Sequence, residues 1–392
     1  MPEYDIVELR RDVTEIGTTF GRKDGRPFGI RQADRLFHLF AIGQTGTGKS
    51  SLLRSLVRQD INTGRGFCLI DPHGDLAASV AAGNEETLVF WDAADSATPY
   101  GFNPLAHVAP EYRPLAASSL IDTLKQQWPD AWGARMEHLL RFALLALLER
   151  PASSIADIIP LFLDKEFREE VVTSITDEKV LEFWTVEYAK LRYQSAGDGV
   201  ASIANKLGAF LAHPVVRKAI CEPARPLRLR QLMDNGGMLV VNLAKGRLGA
   251  DISNLLGGLI VSGIANAAYT RQDMPIGERR PFFLYVDEFH AFTTSAFTDM
   301  LAELRKYGLG LTLTTQHFAR IDNDAREAIL GNVGTLISFR VGATDAALLA
   351  RQFGEDVPKP RDLVGLANHE MFVELMVEGV RTKPFSAQTL PS

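Results

Sequence analysis

Residues 36–51, LFHLFAIGQTGTGKSS, constrain the fold more than any other stretch. The apolar run Leu36–Ile42 predicts a buried β-strand, since a short hydrophobic run closed by a turn signal suits a strand covered on both faces. Gly43 to Ser50 fit G-x-x-x-x-G-K-[ST], and Leu52, Leu53, Leu56 and Val57 then recur at helical spacing. In such a strand–loop–helix the glycines let successive N–H groups turn inward toward a polyphosphate, and the helix N-terminus adds positive potential. Gly43, Thr45, Gly46, Thr47, Gly48, Lys49, Ser50 and Ser51 are therefore the candidate nucleotide-binding residues. Lys49 is placed to reach the β- and γ-phosphates, and the Ser50 hydroxyl to ligate Mg²⁺. A plain glycine turn between strand and helix is the bland alternative.

Composition narrows the partners. A chain of 392 residues, 46% hydrophobic and 23% charged, has the balance of a soluble globular protein of one large domain or two. Its net charge of −6 gives no global attraction to nucleic acid or anionic membrane, so any such contact needs a local basic surface. Two cysteines, Cys68 and Cys221, make no disulfide framework and fit a reducing compartment. The opening MPEYDIVELRRD carries acids and no apolar core, unlike a signal peptide. Leu139–Leu148 contains Arg141, and Leu255–Tyr269 is uncharged but falls short of the roughly 20 residues a spanning helix needs. The expectation is a cytoplasmic protein without membrane insertion.

Along the chain, residues 1–35 read as short strands and turns. Gly66–Ile70 is a second apolar strand ending in DPHGDL, and Thr87–Trp91 a third, which gives β-α-β-α-β and a parallel sheet. From about Pro110 the pattern becomes helical: Leu139, Leu140, Ala143, Leu144 and Leu147 form one stripe, and Ile155, Ile158, Ile159 and Phe162 another. Trp128, Trp132 and Trp184 read as packing residues. Strands resume with Gly237–Leu243, followed by a helix (Asp251–Thr270), strand Phe282–Val286, a helix near Thr298–Tyr307 and strand Leu309–Thr315. A helix (Ala325–Leu330), strand Thr335–Val341 and a closing pair of strands within Glu370–Phe385, joined near Glu378-Gly379, complete the chain. The predicted class is α/β: a motor-type P-loop core with a mainly parallel central sheet and an inserted all-α domain. The boundaries fall at 1–109, 110–235 and 236–392.

FLYVDE supplies the natural partner for the phosphate loop. The strand Phe282–Val286 would deliver Asp287 and Glu288 to the carboxyl edge of the sheet, where ligands bind in open parallel sheets. There Asp287 can hold Mg²⁺, and Glu288 can orient and polarise the attacking water. Alternatively, Asp287 caps the next helix and Glu288 is solvated. Gln316, ending the next strand, can bond both the γ-phosphate and the attacking water; a polar strand end is the alternative. Arg305 and Lys306 sit at a helix end that suits cations.

The combination IGQTGTGKSS, IDPHGDL, VDEFH, LRKYGLGLTLTTQ and GNVGTLISFRVG resembles the FtsK/HerA superfamily of hexameric nucleic-acid pumps. Within it the chain is most similar to the conjugative coupling proteins of type IV secretion systems, whose RecA-like motor carries an all-helical insertion. The likeness covers roughly residues 30–105 and 237–390. It implies the phosphate-loop roles for Lys49 and Ser50, the acidic motif for Asp287 and Glu288, and the sensor for Gln316. Arg305 falls where that superfamily places an arginine reaching the neighbouring subunit's nucleotide, with Arg326, Arg340 and Arg381 as rivals. Two departures stand out: the transmembrane helices of membrane-bound coupling proteins are missing, and so is a basic run. Pore cations such as Lys245 and Arg247 could serve instead, or belong to a solvated loop. Asp71, His73 and Asp75 either help position metal and nucleotide or, as with Asp75, cap a helix. His38, His73 and His290 show no metal-ligand spacing.

The resemblance implies a homo-hexameric, Mg-ATP-hydrolysing translocase that moves DNA, single- or double-stranded, with a secretion or nuclease protein as partner. Two other classes fit the same residues: an ATPase that drives protein secretion or assembly, and a nucleotide-dependent switch or scaffold.

Overall fold

The computed structural model describes residues 12–20, 25–190, 193–292, 297–354 and 357–390. The N-terminal stretch read above as unlike a signal peptide lies, except for Asp12, outside them. The strands are β1 (Val13–Thr19), β2 (Pro27–Arg31), β3 (Leu39–Ile42), β4 (Gly66–Asp71), β5 (Val89–Asp92), β6 (Tyr100–Gly101), β7 (Arg225–Pro226) and β8 (Met238–Asn242). They continue as β9 (Phe282–Val286), β10 (Leu309–Thr315), β11 (Thr335–Ser338), β12 (Glu370–Glu374), β13 (Met376–Val377), β14 (Val380–Arg381) and β15 (Phe385–Thr389).

Eleven strands form one sheet in the order β2-β1-β15-β12-β11-β3-β10-β9-β4-β8-β5. From β11 through β3, β10, β9 and β4 to β8 neighbouring strands pair parallel, and from β11 out to β2 they pair antiparallel. The fold is thus the expected RecA-like α/β class, and its central strands are apolar runs because both faces are covered: β3, β4, β9 and β10 are buried throughout. The N-terminal strands join the C-terminal ones, with Gly17 opposite Thr389. A Cβ at Gly17 would stand 2.1 Å from the Gln388 carbonyl oxygen, so this close approach demands glycine.

The first buried strand begins at Leu39 rather than Leu36, because His38 adopts the left-handed backbone (φ 69°) and turns the chain into the sheet. The tail also differs from expectation. The hairpin at Glu378-Gly379 joins only the two-residue strands β13 and β14, while β12 pairs with the later β15. Local turn chemistry marked the hairpin, but alternation alone could not identify the partner of β12.

The chain divides into two compact units, one of residues 1–90, 230–242 and 271–392, the other of residues 91–229 and 243–270. The second unit is helical, apart from the β6–β7 pair, and centres on helices Arg113–Gln127, Ala134–Glu149 and Ala250–Tyr269. The sequence boundaries of 110 and 235 leave Ala250–Tyr269 outside the helical stretch. Here that helix belongs with it: Thr123 bonds Ser262, and Ser119 donates to Asn266. Among the described residues one helical span, Ala250–Asp273, is long and apolar enough to cross a membrane, but 67% of its apolar window is buried, as in a core helix. Trp184 is buried, donates to the Phe142 carbonyl and meets Phe183 edge-on, in keeping with a packing role.

Candidate functional site

The parallel register brings the chemical residues to one edge. Ile42 lies level with Thr315 and Ser338, and Val286 with Leu313 and Ile70, so the chain leaves β3, β4, β9, β10 and β11 at the same carboxyl edge. Gly43 to Gly48 follow β3, and Lys49 opens the helix Lys49–Thr63. That helix buries Leu52, Leu53, Leu56 and Val57, the face its spacing predicts, together with Asp60, and stops at Gly64 in the left-handed conformation (φ 70°).

Within the loop Gly46 and Gly48 have φ of 76° and 129°, conformations that side chains resist. A Cβ at Gly48 would also stand 2.8 Å from the Phe339 ring. The loop is pinned by the Gly43 N–H to Thr315 (3.2 Å), the Gln44 N–H to Arg340 (2.9 Å) and the His369 N–H to Thr47 (2.8 Å). The Thr47 hydroxyl donates to Gln44 O at 2.7 Å and is buried inside the loop, whereas Thr45, Gly46 and Ser50 are exposed and Ser51 is half-buried. Lys49 folds back, its Nζ donating to Gly43 O (2.6 Å) and Gln44 O (3.2 Å). Burial lowers the Lys49 pKa, and the nearby carboxylates of Glu288 and Asp287 oppose that shift. This loop offers backbone N–H groups, a desolvated ammonium and an exposed serine hydroxyl, a donor set that fits a polyphosphate.

Across from it Asp287 is 6% exposed, and its Oδ1 accepts from the Thr314 hydroxyl. Its pKa is raised, first by burial and then by Glu288 and Asp71, while the Thr314 bond and Lys49 oppose the rise. Buried acids this close repel one another, and a divalent cation would relieve that repulsion; Asp287 with the exposed Ser50 hydroxyl therefore fits Mg²⁺. Asp71 is committed elsewhere: Oδ1 accepts from the His73 N–H (2.8 Å) and Oδ2 from the Ala77 N–H (2.9 Å), so it braces the turn into helix Asp75–Ala81. His73 and Asp75 are exposed, and no group of three or more His, Cys, Asp or Glu able to hold a metal occurs among the described residues.

Glu288 sits in the left-handed backbone region (φ 49°), a conformation costing a non-glycine residue about 1–3 kcal/mol and typical of functional positions. Its Oε1 accepts from Gln316 Nε2 at 2.7 Å. Its Oε2 is buried without a hydrogen-bond partner. An acceptor oxygen held ready in this way, beside a phosphate loop, suits the orientation of a water. Lys49, Asp287, Glu288 and Gln316 are thus gathered at one edge.

Arg305 is not part of that gathering. It lies before β10, seven strand residues or about 23 Å from the carboxyl edge, with its guanidinium 3.3 Å above the Phe37 ring. Among its rivals, Arg381 donates to Val333 O (2.6 Å), and Arg340 stands beside the loop, bonding Leu366 O (3.1 Å) and Asn368 Oδ1 (2.9 Å), with its Nε 3.4 Å from Gln44 Oε1. Arg247 pairs with Asp92 at 3.0 Å.

Two features escape the sequence reading. Thr314, the residue that holds Asp287, was legible only as a strand-end threonine. Beneath the site, Arg35 makes a bidentate pair with Asp60 (2.7 and 2.8 Å) and contacts the Tyr285 hydroxyl, which itself donates to Asp60. Arg65 adds a further contact to Asp60 at 3.3 Å. No local pattern in the sequence joins these residues.

Comparison with known proteins identifies the architecture. The plasmid coupling protein TrwB, in its complex with ADP and Mg²⁺, matches with a TM-score of 0.65 and 16% identity, over 92% of this chain and 87% of that one. VirB4 of Thermoanaerobacter pseudethanolicus matches with a TM-score of 0.67 and 15% identity, over 96% of both chains. Residues 281–359, which include Asp287, Glu288 and Gln316, match the family model described as the TraM recognition site of TraD and TraG. No curated protein matches the chain. The chain has the fold of the P-loop ATPases of the conjugation and secretion motor type, as its motifs implied.

Proposed function

We propose that this chain is one subunit of a ring-shaped, homo-hexameric ATPase that hydrolyses Mg-ATP and moves DNA. The observation that carries it is the buried Glu288, clamped by Gln316 at one edge with Lys49 and Asp287. Lys49 releases the loop carbonyls and binds the β- and γ-phosphates, and the glycine-loop N–H groups cradle them. Ser50 and Asp287 hold Mg²⁺, which when bound supplies charge neutralisation on the phosphate oxygens. Glu288 orients the attacking water through Oε2, and Gln316 keeps the carboxylate in place. For Arg305, which lies outside this site in its own chain, the superfamily resemblance supports a reach to a neighbouring subunit's nucleotide.

DNA as cargo rests on the likeness to the coupling protein. ATP-driven displacement of a bound block from a DNA end tests it: displacement that disappears with Glu288→Gln supports translocation, and none with active enzyme on either strand form overturns it. A second reading, a protein cargo or partner, is favoured by the match of residues 281–359 to a recognition site. Turnover stimulated by a partner protein and indifferent to DNA would select it.

A further inference from the structure

The strongest unassigned group near the site is His290, two residues beyond Glu288. Its side chain is 14% exposed, and its Nδ1 stands 3.4 Å from Glu288 Oε2, the buried carboxylate oxygen without a hydrogen-bond partner. The same Nδ1 is 3.2 Å from the Thr315 hydroxyl. On the far side of the ring, Nε2 is 3.3 Å from Nη1 of Arg320, in the turn that follows β10. A guanidinium can only donate, so this contact requires a lone pair on Nε2. In the neutral imidazole the proton then resides on Nδ1, where it faces Glu288 and Thr315. The opposite tautomer would set an N–H against the arginine and a lone pair against the carboxylate, unfavourable on both sides.

We propose that His290 is a positioning residue for Glu288, with its tautomer fixed by Arg320, so that an Nδ1–H steadies the oxygen that orients the attacking water. The carboxylate is then steadied from two sides, by the Gln316 hydrogen bond at Oε1 and by the charge–dipole attraction of the His290 Nδ1–H at Oε2, and both groups answer to the segment that leaves β10. A shift of that segment moves Arg320, frees the tautomer and loosens the glutamate. This role rests on the hydrolytic reading of Glu288, but the tautomer itself does not.

The tautomer is read first, by nitrogen NMR of protein labelled at histidine, with the His290 signal assigned by its loss in His290→Asn. The proposal expects Nδ1 protonated in the unmodified protein and a shift toward the Nε2 form in Arg320→Met but not in Arg320→Lys. An Nε2-protonated ring in the unmodified protein overturns it, whatever the enzyme does. Turnover is read second. His290→Asn, whose amide can replace the Nδ1–H, keeps kcat within a few-fold, whereas His290→Phe lowers kcat roughly tenfold or more with nucleotide affinity unchanged. Equal kcat in Asn and Phe variants that both bind nucleotide would remove the positioning role. A protein that shows the expected tautomer yet hydrolyses nothing would instead fault the hydrolytic reading.

Discussion

Acid should unfold the nucleotide-binding unit partly through one histidine. His38 is 1% exposed, its Nδ1 accepts from the Leu311 N–H (3.1 Å), and its Nε2–H donates to Leu301 O (3.0 Å). Burial lowers its pKa from 6.5 to about 4; the Leu301 bond opposes the shift and the Arg305 charge adds to it. The unfolded chain therefore takes up this proton below pH 6.5, and the folded one only near pH 4. The stabilisation is complete above pH 6.5 and is lost as pH falls from there toward 4. Between pH 7 and 4.5 the loss from this group is about 2 kcal/mol, at 1.36 kcal/mol per pKa unit. His38→Asn is the control, because asparagine tolerates the left-handed backbone, offers both a donor and an acceptor, and does not titrate. Urea unfolding at the two pH values should show the unmodified protein losing about 2 kcal/mol more than His38→Asn. Equal losses would refute the assignment of a buried, neutral His38.

Three further outcomes follow from the geometry. Asp60→Asn leaves Arg35 buried with its charge uncompensated and should destabilise the protein by about 3–5 kcal/mol, seen in the urea midpoint; a change below 1 kcal/mol would contradict a buried pair. Gly48→Ala meets both the positive φ and the Phe339 ring; fluorescent-nucleotide titration should show binding weakened roughly 5- to 150-fold, from strain of about 1–3 kcal/mol. Thr314→Val removes the hydroxyl that holds Asp287; the magnesium concentration for half-maximal hydrolysis should rise roughly tenfold, and an unchanged requirement would remove Asp287 from the metal's support.

What could be read from the chain was what is encoded locally. The phosphate loop, the strand Phe282–Val286 with its two acids, and Gln316 at the end of β10 are each contiguous, and the parallel register converts strand ends into a common edge. The Arg35–Asp60–Tyr285 network joins residues 25 and 225 positions apart and is visible only after folding. The same holds for β12, whose pairing with β15 passes over the β13–β14 hairpin that lies between them in the chain. His290 was read only for metal spacing, and its meaning comes from Arg320, thirty positions later in the chain.

Steady-state ATP hydrolysis by the purified protein, with and without single- and double-stranded DNA, tests the central claim most directly. The account predicts turnover that one DNA form stimulates several-fold. Lys49→Ala should lose it together with nucleotide binding. Glu288→Gln should lose it by about 100-fold or more while still binding nucleotide. Full hydrolysis by Glu288→Gln, or turnover that neither DNA form changes, would contradict it.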